Sequence, residues 1–209
     1  MNAKINKTIS AIIPSKKINL FLLFIIVLGV ISGSIFLVLT TSNDKTIIIN
    51  QITNFITNIN SNNISSIDTL KNSILINFTY IMIIFILGMS IIGIIFNIFL
   101  IYIKGFVIGF SITSLIYVYG IKGILASIFY VLPHQLLNIF AILIIGIYSI
   151  IFTINLYKLI IGSRVINFKH FLKKYLVILG ICLFISFVSS ILETFLTPAL
   201  FKLFIKLFI

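Results

Sequence analysis

Glu193 is the one acid set inside a long apolar run of this sequence, and His134 and Gln135 open another such run directly after Pro133. Ionisable groups at such positions are costly in a membrane and mark either ion paths or internal ties. The remaining acids, Asp44 and Asp68, and the other histidine, His170, stand in more polar surroundings. Little catalytic chemistry can be built from this set. A metal-dependent membrane protease needs closely spaced ligands such as H-E-x-x-H, and no such spacing occurs. A paired-aspartate protease needs two aspartates within the membrane, and neither aspartate lies in an expected span. A serine nucleophile needs an activating base beside it, and no glycine-flanked serine motif accompanies His134. There is no P-loop, no G-x-G-x-x-G and no EF-hand pattern. The residues therefore predict no catalytic, cofactor or metal site.

The elements that must position these groups are apolar. The 209 residues are 61% hydrophobic and only 9% charged, whereas soluble domains carry about 25% charged residues. Apolar runs of spanning length recur along the chain. The fold class predicted is all-α: a polytopic membrane helical bundle of five transmembrane helices. They are expected over residues 18–40, 73–103, 105–119, 133–157 and 175–197, in one integral membrane domain. The first is expected to be an uncleaved anchor, because its apolar run exceeds a signal core and no A-x-A site follows. Strands of a barrel would alternate over about 10 residues, and these runs are continuous.

Polar segments fall between the runs. Residues 41–72 form an outer amphipathic hairpin, with Ile48, Ile52, Phe55, Ile56 and Ile59 at helical spacing. A turn is expected at Ser61-Asn62-Asn63, and Ser65 with Asp68 reads as a capping box. The apolar connector 120–132 is expected to lie at the outer interface or to re-enter the membrane. Pro198 is expected to end the last span. After it, Leu200, Phe201, Leu203 and Phe204 oppose Lys202 and Lys206, an interfacial amphipathic helix. The basic tail before Ile18 is expected to form a short surface helix or to fray.

The formal net charge of +12 does not point to nucleic acid, because the lysines flank apolar spans. Their expected partner is membrane lipid. Four basic residues precede the first span, Lys104 is expected between the second and third spans, and five fall in the basic loop 158–174. The positive-inside rule then places the N-terminus and that loop in the cytoplasm and the C-terminus outside.

Two local patterns suggest interaction rather than chemistry. Gly105 and Gly109 make a G-x-x-x-G strip where another backbone can approach, expected to be used for packing between spans. Glu193, one turn before Pro198, is expected at the depth of His134 and Gln135 and to be held by the start of the fourth span. A small permease or permease subunit is the alternative to a scaffold. It would normally show repeated halves with broken helices, and five spans do not divide so.

The blocks "FILGMSIIGI" (85–94), "KGFVIGFS" (104–111), "GIKGILA" (120–126), "LPHQLLNI" (132–139) and "LETFLTP" (192–198) stand in the order seen in one family. With the size and the five spans, the sequence resembles the stage II sporulation protein M family of endospore-forming bacteria. More distant relatives carry an acid where Asn138 stands, so no role for that acid is carried over. The resemblance implies a non-enzymatic component of the engulfment machinery in the mother-cell membrane at the sporulation septum. It implies recruitment of two cell-wall-cleaving partners, stage II sporulation proteins P and D. No small-molecule substrate is implied.

Overall fold

The computed structural model describes residues 16–60, 65–162 and 168–208. Residues 1–15 of the basic tail, the expected turn at 61–63 and Arg164 of the basic loop lie outside the described residues. Those described are helical, with no strand among them. In chain order the helices are α1 (Lys16–Leu39), α2 (Ser42–Asn60), α3 (Ser66–Gly88), α4 (Gly93–Tyr119), α5 (Lys122–Tyr130), α6 (Leu132–Ile160), α7 (Phe168–Ile191) and α8 (Thr197–Phe208). A π-helical turn, Leu192–Leu196, joins α7 to α8. Among the described residues, five helices are long and apolar enough to cross a membrane: α1, α3, α4, α6, and α7 continued towards α8.

The spans at 73–103 and 105–119 are corrected. The chain turns at residues 89–92, not at Lys104. The reason is steric and polar together. A Cβ at Gly93 would collide with the Leu87 carbonyl, so only glycine permits the turn. The last four carbonyls of α3 would otherwise lack partners, and all four are answered. Met89 N–H donates to Ile86 O and Ser90 N–H to Leu87 O, each at 3.0 Å. Tyr175 OH donates to Phe85 O at 3.0 Å, and Thr153 Oγ1 to Gly88 O at 2.7 Å. Lys104 lies in continuous helix, with Gly105 beside it used for close packing and not for a turn. It stays in mid-α4, with its ammonium 5.7 Å from the Tyr80 ring centroid.

The helix expected to end at Pro198 does not end there. Proline lacks the N–H that Thr194 O would receive, and its ring crowds that carbonyl. The chain widens into the π turn instead, and Thr197 donates to Leu192 O from both its backbone N–H and its Oγ1. Beyond it, Phe201 and Phe204 of α8 bury against Ala126 of α5, with Tyr119, Phe129 and Tyr130 around them. Thus α8 is docked on the bundle by two aromatic anchors rather than lying free. The connector 120–132 contains α5. Gly120, at φ 60°, reverses the chain, and a Cβ at Gly123 would strike Leu115 O, so α5 folds back onto the last turns of α4. Ser65 caps α3, its hydroxyl accepting from Asp68 N–H at 3.3 Å.

The centre of the bundle is α6. Of its apolar window 56% lies inside, against 28% for α1 and for α3. Ala141, Ile142 and Ile145 are fully buried among Leu22, Ile81, Ile101 and Cys182. Beside it α1 and α4 meet at backbone distance. A Cβ at Gly105 would strike Ile26 O, and one at Gly109 would strike Val30 O. Reciprocally, a Cβ at Gly29 would strike Tyr102 O, and one at Gly33 would strike Phe106 O. Two G-x-x-x-G strips therefore interlock within one chain, where carbonyls and Cα–H groups can meet. Tyr102 OH donates to Ser32 Oγ at 2.7 Å and Ser34 Oγ to Gly109 O at 3.3 Å beside the contact. Sequence reasoning found one strip and missed its partner, although Gly29 and Gly33 carry the same four-residue spacing.

Leucine at Gly29, Gly33, Gly105 or Gly109 is expected to cost about 3 kcal/mol or more, since backbone must move. Gly180 faces open space, so Gly180→Ala should stay within about 0.5 kcal/mol of the parent. Thermal unfolding of the purified variants in lipid checks the contrast.

Candidate functional site: a polar seam inside the bundle

Asparagines, serines and threonines are tolerated inside a bundle only where they find partners, because the hydrocarbon offers none. Here they gather in one seam between α3, α6, α7 and the π turn. Ser73 Oγ of α3 donates to Glu193 Oε2 at 2.6 Å. Asn77, one turn along α3, donates through Nδ2 to Ser73 Oγ at 3.2 Å and to Ser190 Oγ of α7 at 3.1 Å. Asn138 Nδ2 of α6 donates to Asn77 Oδ1. One connected run thus links a carboxylate to three helices, with Ser73, Asn77, Asn138 and Ser190 all buried.

His134 lies beside this run without joining it. Its Nδ1 is 3.3 Å from Thr197 Oγ1, and its backbone carbonyl accepts from Ser189 Oγ at 2.7 Å. The expectation that Glu193 is held by His134 or Gln135 is therefore corrected. The carboxylate takes its hydrogen bond from Ser73, because the π turn carries Glu193 towards the first turns of α3. Gln135 Oε1 is buried without a hydrogen-bond partner. Pro133 sits in the first turn of α6, and Pro198 follows Thr197 at the start of α8. Gly105 and Gly109 belong to the α1 contact and not to the seam.

Charge is part of the seam. Lys104 extends from α4 towards Tyr80 of α3 and is near enough to Glu193 for their charges to interact; His134 feels both. A lone carboxylate or ammonium in hydrocarbon costs several kcal/mol, and opposite charges held in one bundle offset part of that cost. A second polar group closes the other end of α3. Asn97 Nδ2 donates to Ile84 O at 3.2 Å and to Ser149 Oγ. Tyr175, stacked on Phe85 at 4.4 Å and Phe152 at 4.7 Å, completes it.

Sequence reasoning missed Ser73, Asn77, Asn97, Asn138 and Lys104 as members of these groups. The available signal was an amide within each of three apolar runs, at positions 77, 97 and 138. What the arrangement does chemically is fix helix rotation. An amide locked between two helices sets their register, because each alternative register leaves it unpaired.

Glu193→Gln is expected to be mild, since an amide oxygen still accepts from Ser73. Glu193→Leu should destabilise by about 1–3 kcal/mol, because it leaves the Ser73 hydroxyl proton without an acceptor. Thermal unfolding in lipid measures both. Cysteines at positions 73 and 193 should crosslink with a short reagent.

Comparison with known proteins gives one family. The family model described as Stage II sporulation protein M matches residues 20–198. No curated protein and no solved structure matches. The matched region runs from the first turns of α1 into the start of α8, taking in both the glycine contact and the seam. The chain is thus a sporulation-related, multi-pass membrane protein and belongs to the stage II sporulation protein M family.

Proposed function

We propose that the chain is a non-enzymatic membrane anchor that recruits peptidoglycan-degrading partners to the sporulation septum during engulfment of the forespore. The observation that carries this reading is the use made of Glu193: its carboxylate is tied to Ser73 within the bundle, and the run continues through Asn77 to Asn138 and Ser190. Charge used as an internal tie suits a body that presents surfaces. Family membership supplies the setting, and the partners it implies are stage II sporulation proteins P and D.

The orientation proposed is N-terminus inside and C-terminus outside, in the mother-cell membrane. With Lys104 reassigned to mid-span, nine basic residues fall on the cytoplasmic side in this orientation and five on the other. Amphipathic α2, α5 and α8 then gather on the outer side, where wall-cleaving partners would work.

Two measurements test the reading. Co-purification from sporulating cells should recover the wall-cleaving partners, and deletion should stop thinning of the septal wall. Normal engulfment after deletion would contradict it, and reproducible solute or ion flux in proteoliposomes would favour a permease. A reporter active only outside should be active after Ile209 and silent at Asn167.

A further inference from the structure

The turn between α3 and α4 ends short of its neighbours. Two hydrogen bonds set its level: Thr153 Oγ1 of α6 donates to Gly88 O, and Tyr175 OH of α7 donates to Phe85 O. Past Thr153, α6 runs on to Ile160, and α7 begins at Phe168, well before Tyr175. Each extends beyond the end of α3 by about 10 Å of helix. α1 and α4 run in the same direction, since Gly29 meets Tyr102 and Gly33 meets Phe106. The turn therefore lies on the side of the α1 N-terminus. Lys71 is the last charge on α3 before the turn. From it to Gly88 the helix rises about 26 Å, whereas a hydrocarbon core is about 30 Å thick.

The residues of the turn suit lipid and not water. No charged residue occurs from Asn72 to Ile103, whereas the other connection on this side, 158–174, carries five basic residues. Ile92 at the tip is 69% exposed and Ile95 71%, with Met89, Ile91 and Phe96 exposed beside them. Ser90 is the one polar residue of the tip. The apolar surface continues into Ile86 of α3 and Phe99 of α4. A patch built to dock a protein would carry a polar rim, and this one has none. The backbone asks little of water either. Met89 and Ile92 keep right-handed helical angles. Gly93 N–H donates to Ser90 O at 3.2 Å and Ile95 N–H to Ile92 O at 3.3 Å, as a medium without hydrogen bonds requires. Of the lysines nearest this level on α7, Lys173 has a long stem that can reach the surface, and Lys174 lies over the Tyr148 ring. The turn has no such side chain.

We propose that the α3–α4 turn ends inside the leaflet on the side of the α1 N-terminus, and that acyl chains of that leaflet cover its tip. α3 and α4 then form one hairpin inserted from the opposite surface. Lipid chains fill the recess under the tip, beside the projecting ends of α6 and α7. Only α1, α6 and α7 carry the chain across the whole bilayer. A hairpin adds two crossings or none, so the sides on which the termini lie are unchanged. The inference is also independent of partner recruitment.

Two probes in the full chain, reconstituted in phosphatidylglycerol and phosphatidylcholine vesicles, test this. The first is Ser90→Cys in a Cys182→Ala background, with Lys169→Cys at the start of α7 as its reference. An impermeant thiol reagent should label Lys169→Cys from one side and Ser90→Cys from neither, until the membrane is dissolved and the protein denatured. Labelling of Ser90→Cys in intact vesicles would overturn the proposal. The second is fluorescence. The chain has no tryptophan, so Ile92→Trp, at an exposed position, is a single reporter. Bromine atoms placed deep on the lipid acyl chains should quench it more than bromines near the headgroup, and acrylamide in the water should leave it bright. Phe168→Trp, at the projecting end of α7, should show the opposite order. Quenching of Ile92→Trp by acrylamide would put the turn in water and overturn the proposal. Quenching by neither agent would mean that a second copy of the chain covers the tip, and would overturn it equally.

Discussion

A bilayer core supplies no hydrogen bonds, and that constraint organises this molecule. A polar group carried into the bundle is best answered from within it, and most are, Gln135 Oε1 and Asn138 Oδ1 being exceptions. At the end of α3 the four last carbonyls are taken by two backbone N–H groups, a tyrosine and a threonine. At its start the carboxylate of Glu193 is taken by Ser73 and extended through amides to α6 and α7. The polar residues therefore do the work of orientation, while apolar contact with lipid is available to any rotation of a helix. Close backbone contact supplies the complementary constraint. Two glycine strips let α1 and α4 approach until carbonyl and Cα meet, and no larger residue fits there. The α1–α4 pair is fixed mainly by shape, α8 by its aromatic anchors, and α3, α6 and α7 are tied by hydrogen bonds.

These features make a stiff body with polar chemistry turned inward. The elements that differ from plain spans gather at one end: α2, the reversed α5, and α8 anchored by Phe201 and Phe204. Such a division, a tied core with shaped elements at one surface, would suit the membrane anchor proposed above.

The class of the fold was legible from the length of the apolar runs, because spanning length is a property of composition alone. The boundary between the second and third spans was not. A lysine marks a membrane surface in the sequence, yet Lys104 stays within α4 over the Tyr80 ring. The true turn is written in Gly88-Met89-Ser90 and Gly93, a signal hidden by the apolar residues around it. Glu193 was legible as unusual, but its partner was not. Ser73 is 120 residues away, and which helix faces which is decided by packing rather than by any local pattern. Gly29 and Gly33 were readable in the same way as Gly105 and Gly109, since a strip implies a second strip to receive it.

The central claim is that the seam is a dry internal tie and not a path for water or solute. The direct measurement is thiol accessibility. Single cysteines at positions 77, 138 and 190, in a Cys182→Ala background, are exposed to a small membrane-impermeant thiol reagent from each side in turn. The account predicts no labelling at 77, 138 and 190 from either side, as in a packed interior. Labelling of these positions, from one side or from both, would mean that water reaches the seam and would contradict it.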